Sequence, residues 1–110
     1  MSNVWKSLKI LIVDDDSFQR TVVTKVLNLL AVIQVASVAD GHAAELRLGE
    51  GWDLLILDLN MPGMDGMAFL KKLMSLDSGL PVIMITGHGD VPMAVEAMRI
   101  GAFDFLEKPF

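Results

Sequence analysis

Four groups of polar residues interrupt a largely apolar chain, and each follows directly on a short apolar run. Asp14-Asp15-Asp16 follows Leu8–Val13, Asp58 follows Leu54–Leu57, Thr86-Gly87 follows Pro81–Ile85, and Glu107-Lys108-Pro109 follows Ala102–Leu106. Together they offer a carboxylate cluster, a separate carboxylate, a hydroxyl and an ammonium. Carboxylates brought close together repel one another unless something compensates. A hard divalent cation with oxygen ligands does so, and Mg2+ suits one or two carboxylates, retained waters and phosphate oxygens. Lys108 would supply a compact positive charge for a carboxylate or a phosphoryl oxygen, and Thr86 a donor hydroxyl. Each residue also has a plainer reading. Aspartates commonly cap helices, lysines are mostly surface groups, and Thr86 before Gly87 could simply open a turn. Ser17 is placed to cap the next helix, which leaves the aspartates free for a cation. The joint placement of the four groups carries the argument.

The apolar runs read as strands, with Val32–Ser37 as the fifth. Between them lie segments with helical spacing. In Phe18–Leu30, Val22, Val23, Val26, Leu27, Leu29 and Leu30 form a broad apolar stripe. Gly41–Leu48 is a short helix, and Asp65–Leu76 is amphipathic through Met67, Phe69, Leu70, Leu73 and Met74. Asp90–Ile100 has an aspartate cap, Pro92 in its first turn and Gly101 as its stop. The resulting β-α-β-α-β-α-β-α-β order, with strands apolar on both faces, predicts a parallel sheet covered by helices on both sides. Right-handed crossovers then give a doubly wound α/β sheet of five strands in the order 2-1-3-4-5. Such sheets bind ligands at the carboxyl ends of their strands, near the switch in strand order. All four polar groups fall there.

The chain has 110 residues, enough for one domain with a modest core, and it is 53% hydrophobic and 21% charged, which argues against disorder. It lacks cysteine, so disulfides and thiolate metal sites are excluded. Nine basic residues stand against fourteen acidic ones, a net charge of −5 with no basic cluster. Direct nucleic-acid binding by these residues is therefore not expected. No apolar run reaches the roughly eighteen residues of a membrane span. A cytoplasmic domain that does not enter a membrane is the expectation.

The stretches ILIVDDDSFQR (Ile10–Arg20), DLLILDLNMPGMDGMAFL (Asp53–Leu70), PVIMITGHGD (Pro81–Asp90) and AMRIGAFDFLEKPF (Ala97–Phe110) resemble the receiver domain of two-component response regulators. The resemblance runs through nearly the whole chain, and TGHGDVPMAVEAM is similar to receivers of transcriptional activators. It implies a flavodoxin-like fold with Asp58 as phosphoacceptor. Asp14 and Asp15 would be its acidic pair, Asp15 as direct Mg2+ ligand and Asp14 largely through water. Asp58 and the backbone carbonyl of Asn60 would complete the metal set. Thr86 is implied as the switch hydroxyl, Phe105 as the conformational aromatic and Lys108 as the phosphate-binding lysine, with a cis Lys108–Pro109 bond. Asn60 and His88 match positions that tune the lifetime of the phosphoryl group, and Asp16 matches no essential role. The implied donor is a histidine kinase or phosphotransfer protein, and the implied output is an effector, transcriptional in kind. Met93, Ala97 and Phe105 are candidates for contacting partners, with burial in the core as the competing reading. The implied protein is a signalling domain that assists its own phosphorylation and dephosphorylation, rather than an enzyme acting on other substrates.

The family adds a fifth helix after the Lys-Pro-Phe segment, whereas this chain ends at Phe110. Residues 1–110 are thus expected to be a receiver domain cut before its last helix. One flank of the sheet and part of the Phe18–Leu30 helix would then lack apolar cover, which promotes association, a homodimer included. Three rivals are weaker. A phosphatase of the haloacid dehalogenase type could use Asp14-x-Asp16, but Phe18 replaces its expected Thr or Val and the chain is short. A flavodoxin-like nucleotide or flavin binder needs a Gly/Ser/Thr-rich loop after the first strand, where three aspartates stand. A receiver-like interaction module independent of phosphorylation is the remaining alternative.

Overall fold

A computed structural model describes residues 7–61, 66–76, 79–87 and 90–108. Its elements, in chain order, are β1 (Lys9–Val13), α1 (Ser17–Leu29), β2 (Gln34–Val38), α2 (Gly41–Glu45), a 3-10 turn (Leu48–Glu50), β3 (Leu54–Asp58), α3 (Gly66–Ser75), β4 (Val82–Thr86), α4 (Val91–Ile100) and β5 (Asp104–Glu107). The strands form one sheet in the order β2-β1-β3-β4-β5, as the alternation of segments predicts. Every pairing is parallel.

The three inner strands are buried on both faces because their residues alternate between two apolar layers. Leu11, Val13, Leu55, Leu57 and Met84 face α2, α3 and α4, where Ala44, Phe69, Leu70, Leu73 and Ala97 close the layer. Ile10, Ile12, Ile56 and Ile85 face the other way, against Val23 of α1 and Val32. Two-sided burial of this kind explains why these strands read as unbroken apolar runs. The edge strands β2 and β5 are only partly buried. A single described helix, α1, covers the second face, and Val26 and Leu29 of α1, Leu30 just after it and Leu106 of β5 stand exposed.

The sequence-based boundaries shift where a backbone group has another task. The apolar run starting at Val32 suggests a strand there, yet β2 begins only at Gln34. The Val32 N–H donates to Leu27 O and the Ala31 N–H to Asn28 O, which closes the end of α1. Ala31 takes the left-handed conformation this turn requires, with φ of 70°. Ser17 is not the cap of α1 but its first helical residue. Asp16 holds the cap position, and its carboxylate accepts from the N–H groups of Phe18 and Gln19. The helix over Gly41–Leu48 is shorter than expected and passes into the 3-10 turn. Asp65, the expected start of the third helix, lies outside the described residues.

Register places the chemistry. Val13 pairs with Leu57, so Asp14 and Asp58 come next on adjacent strands. Asp58 pairs with Ile85, one residue before Thr86, and Thr86 pairs with Glu107, one residue before Lys108. Leu57, fully buried between Val13 and Met84, is the residue on which this alignment most directly turns. Leu57→Ala should cost about 2–5 kcal/mol of unfolding free energy, measured by urea denaturation, a large share of what a domain this size possesses.

Candidate functional site

Asp14 is fixed before its side chain does anything. Its N–H donates to Val38 O at 3.1 Å, and its carbonyl accepts from the Arg20 guanidinium at 2.6 Å. The side chain is fully buried. Oδ1 accepts from the Asp16 N–H at 2.9 Å, while Oδ2 has no hydrogen-bond partner among the described residues. A buried carboxylate oxygen left bare is costly, so this atom is aimed at something other than the fold. Asp15 and Asp16 are exposed. Asp16 is taken up in capping α1, so for that residue the plain reading of the cluster is the right one.

Asp58 is 2% exposed at the end of β3. Its Oδ1 accepts from the Asn60 N–H at 2.8 Å, and its Oδ2 accepts from Lys108 Nζ at 3.0 Å. Lys108 is anchored in turn by its own N–H, which donates to Thr86 O at 2.8 Å. Thr86 is buried beside it at the end of β4. The structure thus brings Asp14, Asp58, Asn60, Thr86 and Lys108 to one rim of the sheet.

The electrostatics follow from this crowding. Burial is the main force on Asp14 and raises its pKa to about 6; the Asp16 N–H and Lys108 pull it down, while the charges of Asp58 and Asp15 push it up. Burial disfavours the charge on Lys108, but its hydrogen bond to Asp58, with the charges of Asp58, Asp14 and Asp16, outweighs burial and raises its pKa above the ordinary value. One ammonium therefore compensates part of a negative cluster, and Asp14 is left under strain.

Among the described residues no group of three or more His, Cys, Asp or Glu is gathered as a ready-made metal cage. The donor set is smaller and all oxygen: the bare Asp14 Oδ2, the Asp58 carboxylate, and the Asn60 carbonyl as a neighbour. Such a set fits Mg2+, which keeps several waters and binds through one or two carboxylates. Asp15, exposed at the same strand end, offers a further carboxylate to such a cation, and its charge also pushes the Asp14 pKa up.

Of the other candidates, Phe105 is half-buried against the α2–α4 layer, as is Met93, whereas Ala97 is fully buried in that layer and cannot contact a partner. His88 and the Lys108–Pro109 bond lie outside the described residues. Two residues that shape the site carry no sequence signal of doing so. Arg20 reads as an ordinary helix cation, and Asp90 reads as a cap for α4 although it makes no capping hydrogen bond among the described residues.

Residues 10–110 match the model of the response regulator receiver domain family. The chain is 47% identical over 103 residues to the C4-dicarboxylate transport transcriptional regulatory protein DctD of Pseudomonas aeruginosa, covering 93% of this chain and 22% of that protein. It is 44% identical over 107 residues to the transcriptional regulatory protein FixJ of Azorhizobium caulinodans, covering 96% of this chain and 50% of FixJ. It thus spans half or less of these two relatives. The receiver domain of NtrX from Brucella abortus superposes with a TM-score of 0.86 at 36% identity, over 93% of this chain and 87% of the other.

The strain on Asp14 has a signature in pH. Folded Asp14 keeps its proton up to about pH 6, whereas an unfolded aspartate loses it near 4. Between these values the folded state binds more protons, so the Asp14-dependent part of metal-free stability should fall as pH rises through this window. The fall should be on the order of 2–3 kcal/mol. Urea denaturation at fixed pH values should show it in the natural chain and not in Asp14→Asn.

Proposed function

This chain belongs to the response regulator receiver domain family, and we propose that it works as a phospho-acceptor switch in which Asp58 takes a phosphoryl group from a histidine kinase or phosphotransfer protein. The observation that carries this reading is the pairing of two buried carboxylates at adjacent strand ends, one held by Lys108 and the other with an oxygen left bare.

The chemistry is positioning and charge neutralisation. An Asp58 oxygen attacks the phosphorus of a phosphohistidine, a P–O bond forms, the P–N bond breaks, and the donor histidine leaves with its electron pair. Lys108, already hydrogen-bonded to Asp58 Oδ2, pairs with the oxygens of the transferred group and stabilises their charge. The Asn60 N–H keeps the other carboxylate oxygen oriented. Mg2+, held by Asp14, Asp15, Asp58 and the Asn60 carbonyl, would supply further neutralisation of the transferring oxygens. Hydrolysis of the acyl phosphate by water returns Asp58 to its starting state. The domain thereby assists its own phosphorylation and dephosphorylation and needs no outside substrate beyond its donor.

Readout would begin at Thr86, whose movement toward the phosphoryl group leaves room for Phe105 to turn inward. The face formed by α4 and β5 changes as a result. The relatives' names as transcriptional regulators support an effector that acts in transcription. Residues 1–110 serve on this reading as one receiver domain. They work in the cytoplasm, with no contact to nucleic acid of their own, and no described helix is long and apolar enough to cross a membrane.

Incubation with acetyl phosphate and Mg2+, followed by intact mass, should give a single phosphate adduct that EDTA and Asp58→Ala abolish. Lys108→Ala should slow its formation by roughly a hundredfold, the scale of losing one preorganised donor. Turnover of external phosphate esters without an adduct would point to a phosphatase. An adduct-free chain whose partner binding is unaltered by Asp58→Ala would point to an interaction module.

A further inference from the structure

Three of the described helices have an aspartate at the N-cap position, and one of these does not cap. Asp16 and Asp40 accept from the first backbone N–H groups of α1 and α2. Asp90 sits at the same position before α4 and makes no such bond among the described residues. Its Oδ2 accepts instead from the Asn60 side-chain amide at 3.2 Å, across thirty residues of sequence. Asn60 is the residue whose backbone N–H holds Asp58 Oδ1. Gly87 lies against the contact: a Cβ there would stand 2.9 Å from Asn60 Nδ2 and 3.1 Å from Asp90 Oδ2. Glycine at this point leaves the room in which the two side chains meet.

We infer that Asp90 is a positioning residue for the acceptor site, acting through Asn60. By holding the Asn60 side chain it fixes the backbone whose N–H orients the Asp58 carboxylate. It also joins the end of β3 to the start of α4, so that a change at the acceptor reaches that helix by a direct link. The inference deepens the reading of Asp58 as a phosphoacceptor and rests on it. A side chain engaged here rather than at its cap is otherwise unexplained, since capping is the interaction an N-cap aspartate ordinarily makes.

Two readouts test it on the whole chain. In the unmodified protein, NMR hydrogen exchange of the Asn60 backbone amide reports whether its bond to Asp58 is held. With acetyl phosphate and Mg2+, intact mass reports the rate of adduct formation. A partly exposed hydrogen bond is modest in strength, so Asp90→Ala should speed the exchange and slow adduct formation by about threefold each. Gly87→Ala, which wedges the pair apart while keeping both partners, should do the same. Asp90→Asn retains an acceptor oxygen and should restore both values. For the adduct rate, Asn60→Ala combined with Asp90→Ala should give no more than Asn60→Ala alone, as a shared interaction requires. Circular dichroism establishes that each variant is folded. Unchanged Asn60 exchange in folded Asp90→Ala would overturn the inference, as would additive effects in the double variant. Altered exchange with an unaltered adduct rate would overturn the positioning role. Failure of the natural chain to form any adduct, with the exchange effect present, would instead sink the phosphoacceptor reading and leave the Asn60–Asp90 link standing.

Discussion

Two carboxylates buried side by side are the constraint around which this domain is arranged. Asp14 and Asp58 end adjacent central strands, where water cannot screen them, and a fold seeking stability alone would place apolar residues there. The sheet instead surrounds them with partial remedies. Lys108 neutralises Asp58, backbone N–H groups hold one oxygen of each, and Arg20 clamps the main chain of Asp14. None of these reaches Asp14 Oδ2. On the proposed reading a divalent cation relieves this imbalance and, with Lys108, offsets the negative charge that a phosphoryl group on Asp58 adds.

The apolar layers make that imbalance tolerable. Strands β1, β3 and β4 are buried on both faces, which fixes their register and delivers the polar residues to one rim. The same register sets Thr86 one step beyond Ile85, and Lys108 one step beyond Glu107. Phe105 pairs with Met84 and points into the layer shared with α3 and α4. A shift at Thr86 would therefore be felt within one strand of the aromatic side chain and one layer of the helices. On the proposed reading the transmission route is short, because a parallel sheet packs its strand ends together.

Much of this was legible in the sequence because it depends on period and order. Apolar runs broken by Asp14, Asp58, Thr86 and Lys108 are visible without coordinates, and the β-α alternation dictates where they converge. What escaped was chemistry decided by competition between neighbours. Asp16 and Ser17 are both good caps, and only the path of the chain into α1 shows that Asp16 takes the role. Val32 has strand propensity, but its N–H is consumed in closing α1. Ala97 shares its helix with exposed Val95 and Met98, and only packing shows it to be core. Arg20 and Asp90 act on groups six and thirty residues away, through bonds that no local pattern announces.

Which carboxylate carries the phosphoryl group decides whether this domain is the proposed switch. Borohydride reduction of the chain after treatment with acetyl phosphate and Mg2+ converts an aspartyl phosphate into homoserine, and peptide sequencing by mass spectrometry then locates it. Homoserine at position 58, with Asp14, Asp15 and Asp16 intact, is the predicted result. Homoserine in the Asp14–Asp16 cluster, or at no aspartate, would contradict it.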